Sequence, residues 1–346
     1  MARVFWAWVA LLSCICGRPL PLLAAPPLVA APLATAAAES CNWEEAEAYR
    51  GLRRQDAFER GEVVLTFDDG PQPLPTARLL DLLEEHHYQA TFFVVGLWVR
   101  PDTYELIQRM VASGHEIGTH TYSHDEYLTR RGWGVDYIEG QYELTHVLVE
   151  LALLARSSDD FKQLYRRVFE RKVGVPLKPS QVRAAWRSIE RNHLQLLEER
   201  GYSAERRVYP MLFARPPGGI PYEGHWPKSM RVEHEAALNH LGLLNVLWHG
   251  GSGDTVRERL DDPQFLLDNV RYHTKKGGIL LIHDRMRGDA LKTAFERLAR
   301  DPAIRVGSLR DAVAKKYSCN ASTLYASLRA STAVATRERA PALARQ

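Results

Sequence analysis

The chain has 346 residues, 45% hydrophobic and 25% charged, which is the composition of an ordinary globular protein with room for a sizeable core. Its 45 basic and 42 acidic residues leave a formal charge of +3, too small for a strong polyanion-binding field. No zinc-finger signature, RNA-binding signature or dense Lys/Arg run is present, so nucleic acid is not an expected partner.

The N-terminus, "MARVFWAWVALLSCICG", carries one early Arg and then an apolar run, followed by an Ala/Pro/Leu stretch ending "LATAAAES". This pattern predicts a secretory signal and linker over residues 1–38, cleaved between about 25 and 38, and hence export: periplasmic, secreted or envelope-associated. The apolar run is short for a transmembrane helix. A retained anchor and lipidation at Cys14 stay open, with membrane or envelope association as their consequence. Cys14 and Cys16 fall in the signal, whereas Cys41 and Cys319 flank the folded region. In an oxidising compartment that pair is expected as a disulfide clipping the two ends together; two free thiols are the alternative.

From residue 61 short apolar runs alternate with amphipathic helical stretches. "EVVLTF" (62–67) is the first predicted strand, and it runs straight into Asp68-Asp69-Gly70-Pro71. By itself this is a strand ended by solvated turn residues. A helix is expected over 76–87, a strand over 89–96, a helix over 104–113 and a strand over 115–121. The last enters "GTHTYSHDEYL", with His120 and His124 four apart among residues that disfavour helix. Two imidazoles and a carboxylate make a catalytic divalent-metal ligand set.

Residues 130–205 break the rhythm with helical patterns at 142–155, 159–174 and 181–201. The last is expected to be the crossover, leaving about 130–178 as an inserted helical element that packs on the barrel wall or against a partner, with cover over the active-site rim as the alternative. Strands follow at 209–215, 243–249, 277–283 and, more weakly, 303–308, with helices at 232–241, 263–276 and 289–300. Repeated strand–helix alternation, without a Gly-x-Gly-x-x-Gly turn or a P-loop, predicts a parallel α/β barrel. Charge or imidazole recurs at the strand ends, as Arg215, Asp254 and His283. The expected folded domain is 39–320 and the tail, 321–346, is expected to be disordered. Asn320-Ala321-Ser322 fits a glycosylation acceptor, relevant only in a eukaryotic secretory route.

In order, "TFDDGP", "HTYSH", "RPPGG", "GSGDT" and "LIH" resemble the five motifs of the polysaccharide deacetylases of the NodB-homology type, carbohydrate esterase family four. The resemblance covers about residues 61–315 and implies a distorted (β/α)7 barrel. It implies Asp68 as general base, Asp69, His120 and His124 as ligands of a divalent metal, Arg215 as the residue holding the base, and His283 as general acid. Zinc suits that ligand set, with cobalt, nickel or manganese as alternatives. Leu281 is implied in the pocket for the acyl methyl, and Pro217, Gly218, Trp248 and Tyr222 are further candidates for the substrate cleft, with Trp226. The fourth motif is degenerate: Asp254 keeps its second acid, but Gly251 replaces its first Asp and Thr255 its Trp.

Adjacent carboxylates make chemical sense, since one Asp cannot both bind a metal and act freely as a base. The expected reaction is removal of acetyl groups from an N-acetylated polysaccharide, peptidoglycan or another N-acetylglucosamine polymer. An O-acetyl esterase acting on acetylated xylan and a barrel that only binds glycan are the alternatives. A non-haem iron oxygenase uses a similar triad, but the paired Asp residues and distal His283 fit hydrolysis better.

Overall fold

After Gly61 the β-branched run forms β1 (Glu62–Asp68), and its alternation sorts two environments. Val63, Leu65 and Phe67 join the cluster beneath the outer helices, while Val64 points the other way, into a second cluster with Phe93, Phe213, Leu244 and Ile279. The computed structural model describes residues 41–42, 51–52, 58–130, 132–204, 206–259, 262–284 and 290–328. The predicted signal, with Cys14, and the chain beyond 328 lie outside the described residues.

β1 is the centre of a parallel sheet. β7 (Gly278–His283) runs along one side of it, while β2 (Thr91–Val94) and β8 (Arg305–Gly307) share the other. β3 (Glu116–Thr119), β4 (Phe213–Ala214) and β5 (Leu244–Asn245) continue outward from β2, and β6 (Gly250–Gly251) pairs with β7. The sheet therefore curls from β5 round to β6 as a distorted (β/α)7 half-barrel. Helices clothe it: α1 (Pro75–Glu85), α2 (Tyr104–Ala112), α3 (Val135–Leu154), α4 (Ser158–Phe169), α5 (Pro179–Glu199), α6 (Lys228–Leu241), α7 (Pro263–Thr274), α8 (Ala290–Ala299) and α9 (Leu309–Tyr317).

Three expectations need correction. The crossover position belongs to α3, not to the last helix of the extra segment: α3 packs against α2, α6 and β3, and α4 and α5 lie over it. Every residue from Tyr137 to Ala152 of α3 is buried, as befits a helix enclosed on all sides. Its start was hidden because Gly140 interrupts the pattern; a Cβ there would lie 2.8 Å from the Trp186 ring. Second, residues 321–328 are helical rather than disordered. Ala321, Leu324, Tyr325 and Leu328 are buried with Val313 and Tyr317 of α9, closing the inner cluster. Third, the run 243–249 is strand only at 244–245, and the Gly250–Gly251 strand has no side chain to announce it.

Cys41 and Cys319 are joined in a disulfide across a sequence separation of 278. The Asn42 amide donates to the Tyr317 carbonyl at 2.8 Å, and Lys316 donates to the Gly51 carbonyl at 2.6 Å, so the first and last described segments meet on one end of the sheet.

Candidate active site

Strand register gathers the charged residues. Asp68 ends β1 directly opposite His283 of β7, and Thr119 of β3 pairs with Ala214 of β4, placing His120 beside Arg215. The chain leaves β1 through Asp69 in the left-handed region (φ 76°) and a cis Gly70–Pro71 bond. This turns Asp69 away from its neighbour, so the adjacent acids enter different surroundings. A Cβ on Gly70 would sit 2.3 Å from Asp284 Oδ2, so a larger residue there would have to displace that carboxylate. Asp284 also accepts from the Thr76 hydroxyl, and its amide donates to the Asp68 carbonyl at 3.3 Å.

Asp69, His120 and His124 present ligand atoms all within 4.8 Å of one another. Asp69 Oδ1 is 3.0 Å from His124 Nε2 and 3.6 Å from His120 Nε2. The donor set fits a divalent metal by its chemistry. His120 Nδ1 donates to the Arg215 carbonyl at 2.8 Å, which fixes the tautomer and leaves the Nε2 lone pair facing Asp69. Burial pushes the His120 imidazole below its ordinary range despite Asp68, favouring the neutral form a metal requires. Burial opposes ionisation of Asp69, but His124, His120 and His283 together hold its carboxyl well below the usual carboxylate range.

Asp68 is bound elsewhere. Its Oδ1 accepts from Arg215 Nη1 at 2.6 Å, and its Oδ2 lies 3.7 Å from His120 Nε2. Arg215 is fully buried, stacks its guanidinium 4.0 Å from the Phe93 ring centroid, and also donates to Thr66 Oγ1 (2.9 Å) and the Val246 carbonyl (2.8 Å). Thr66 and Asp68 share the inner face of β1, so one guanidinium reads both. Across the site, Asp254 receives the His283 amide at 2.5 Å on one oxygen and lies 3.0 Å from His283 Nδ1 with the other. His283 Nε2 then points inward, 4.0 Å from Asp69 Oδ2. Burial works against the imidazolium, but the Asp254 hydrogen bond and charge, with Asp68 and Asp69, raise His283 above its ordinary pKa.

The structure thus brings together Asp68, Asp69, His120, His124, Arg215, Asp254 and His283. The cleft candidates divide. Leu281 lies two residues before His283 on the same face of β7, and is half-buried. Pro217 is buried and Gly218 exposed in a short 3-10 turn just after Arg215, and Trp248 packs against that turn, 2.9 Å from where a Cβ of Gly219 would lie. Tyr222 is committed to a support instead: its hydroxyl is 3.0 Å from His234 Nδ1, whose Nε2 is 2.6 Å from the Tyr142 hydroxyl of α3. Thr66 and Asp284 escaped the sequence reading. A lone hydroxyl in an apolar strand and an acid next to the last motif were the available signals.

Residues 55–203 match the sequence profile of the family described as polysaccharide deacetylase, a span holding Asp68, Asp69, His120 and His124. Over that span the chain is similar to the polysaccharide deacetylase family. Among curated relatives, a chitooligosaccharide deacetylase of Sinorhizobium fredii is 53% identical over 64 residues, 18% of this chain and 29% of the relative. A peptidoglycan-N-acetylglucosamine deacetylase of Bacillus cereus is 45% identical over 62 residues, again 18% of this chain and 29% of the relative. The matched segments thus span under a third of these relatives. Among solved structures, a family pseudoenzyme from Bacillus anthracis aligns with a TM-score of 0.47 at 19% identity, over 74% of this chain and 66% of that one. A family 4 carbohydrate esterase from Streptomyces lividans aligns at 0.44 and 19%, over 72% and 94%.

Proposed function

We propose that this protein is an exported, metal-dependent hydrolase that removes acetyl groups from an N-acetylated polysaccharide, peptidoglycan or another N-acetylglucosamine polymer. The observation that carries it is the register pairing of Asp68 with His283 beside the Asp69–His120–His124 trio: a base, an acid and a metal-ligand set on adjoining strand ends. The resemblance to chitooligosaccharide and peptidoglycan-N-acetylglucosamine deacetylases supports the substrate class.

Asp69, His120 and His124 would hold the metal, zinc by preference for this donor set, and it would supply Lewis acidity toward the acyl oxygen and lower the pKa of a water to near 7. The chain's own residues divide the proton work. Asp68, held in place by its hydrogen bond from Arg215, takes a proton from the attacking water. His283, made more basic by Asp254, enters protonated and passes that proton to the leaving amine nitrogen. Asp254 keeps Nδ1 occupied, so transfer is from Nε2, the nitrogen on the Asp69 side.

The test is acetate release from peptidoglycan, N-acetylglucosamine oligomers and acetylated xylan, with and without a strong chelator. Chelator-sensitive release from an N-acetylated polymer is expected. Release from xylan alone would replace the proposal with the O-acetyl esterase. No release from any polymer by protein shown to hold metal would replace it with a glycan-binding barrel.

A further inference from the structure

His124 sits in backbone that a non-glycine residue rarely adopts (φ 53°), three residues after Thr121 in the same region (φ 67°). Two left-handed residues in a five-residue stretch persist only where surroundings hold them. Those surroundings come from α3, the crossover helix, which grips both chain neighbours of His124.

On one side, Gln141 Oε1 accepts the Ser123 amide at 3.1 Å, and its Nε2 donates to Ser123 Oγ at 3.0 Å. On the other side, the Tyr137 hydroxyl donates to Asp125 Oδ2 at 2.5 Å. The two grips are one relay, because Gln141 Nε2 also donates to the Tyr137 hydroxyl at 2.8 Å. Gln141 and Tyr137 are fully buried and one turn apart on α3, so both face the loop together. Asp125 is buried as well, and its other oxygen accepts the Tyr127 amide at 3.0 Å, extending the hold to the residues beyond His124. The relay thus holds the chain on both sides of His124.

We infer that Gln141 and Tyr137 are positioning residues for His124, and that α3 thereby sets the affinity of the Asp69–His120–His124 trio for a divalent metal. This rests on the metal reading proposed above. Outer partners that orient metal ligands typically contribute about 10–100-fold in affinity, and here two buried side chains share that task.

The experiment is titration of metal-free full-length protein with zinc against a chromophoric chelator, and with cobalt(II) followed by its visible spectrum. Wild type, Gln141→Leu, Tyr137→Phe and Tyr142→Phe are compared. Gln141→Leu is expected to bind zinc about 10–100-fold more weakly with an altered cobalt band pattern, and Tyr137→Phe in the same direction by about 10-fold. Tyr142→Phe removes a buried hydroxyl from the same helix, one bonded to His234 instead of the loop, and is expected to bind like wild type. Wild-type affinity and spectrum in Gln141→Leu, or equal weakening by Tyr142→Phe, overturns the positioning role. If Gln141→Leu does not fold, Tyr137→Phe decides, since it removes one oxygen only, and wild-type binding there overturns the inference. Failure of wild type itself to bind either ion brings down the metal reading, and the inference with it. Metal binding by wild type with unaffected variants brings down the inference alone.

Discussion

Asp68 and Asp69 are covalent neighbours in different company, one hydrogen-bonded to an arginine and the other ringed by three imidazoles. That division makes their substitutions separable. Asp68→Asn and His283→Ala are expected to keep stoichiometric metal while losing about 10²–10⁴ in kcat for acetate release, the usual worth of a proton-transfer group. His120→Ala is expected to lose the metal itself, measured by elemental analysis after dialysis; a His120→Ala protein that retains metal would remove that residue from the ligand set. On the proposed mechanism the His283–Asp254 pair is expected to set the alkaline limb. Since Asp254 outweighs burial and raises the His283 pKa, activity is expected to persist above the ordinary histidine value and to fall as pH rises through the raised one. Asp254→Asn takes away both the charge and the carboxylate acceptor, so the kcat/KM profile is expected to lose its alkaline limb at lower pH than wild type. An unmoved limb would assign it to another group.

At the scale of the element, α3 is a piece that sequence patterns described only in part. It carries a buried stripe of Glu143, His146 and Glu150, met by the fully buried Arg207 at 2.7 Å from Glu150 and 3.1 Å from Glu143. Glu150 also accepts the Tyr209 amide (2.9 Å), and the Tyr209 hydroxyl reaches Glu116 of β3 (2.8 Å), so the network ties the helix to the strand that leads to His120. Removing the cation strands two buried carboxylates. Arg207→Met is expected to cost about 3–5 kcal/mol in denaturant unfolding, far above a surface change. The strands and most helices were legible because their apolar spacing follows the local period. Helix α3 was legible only from 142 onward: a helix enclosed on all sides has no polar face to mark its first turns, and Gly140 interrupts the pattern there. The Asp69–His120–His124 trio, Arg215 and His283 were legible from strand ends and motifs, whereas Thr66, Asp284, Tyr137 and Gln141 act only through tertiary neighbours and carry no local pattern. Helix α9 (Leu309–Tyr317) also escaped the sequence reading, although Ser308 and Asp311 form a reciprocal cap at its start.

Across the whole molecule, the polar site and the closing apolar cluster share the same sheet. The strand ends hold the polar cluster, and the inner apolar cluster is sealed by α9 and residues 321–328. The Cys41–Cys319 disulfide lies in that cluster, bridging a sequence separation of 278. Constraining so long a loop in the unfolded chain supports a contribution of about 2–5 kcal/mol. Cys41→Ser is expected to lower the unfolding midpoint accordingly, and an unchanged midpoint would mean that the terminal segments are held by α9 contacts alone.

The same bond makes residues 41 to 319 a covalent ring. A single peptide cut anywhere inside it opens the ring without liberating a fragment, so nicked protein keeps its full mass on a non-reducing gel and separates into two bands only after a thiol is added. Because the pieces remain tethered, their rejoining is intramolecular and independent of protein concentration. A protease that reaches one exposed loop therefore damages this barrel without dismantling it.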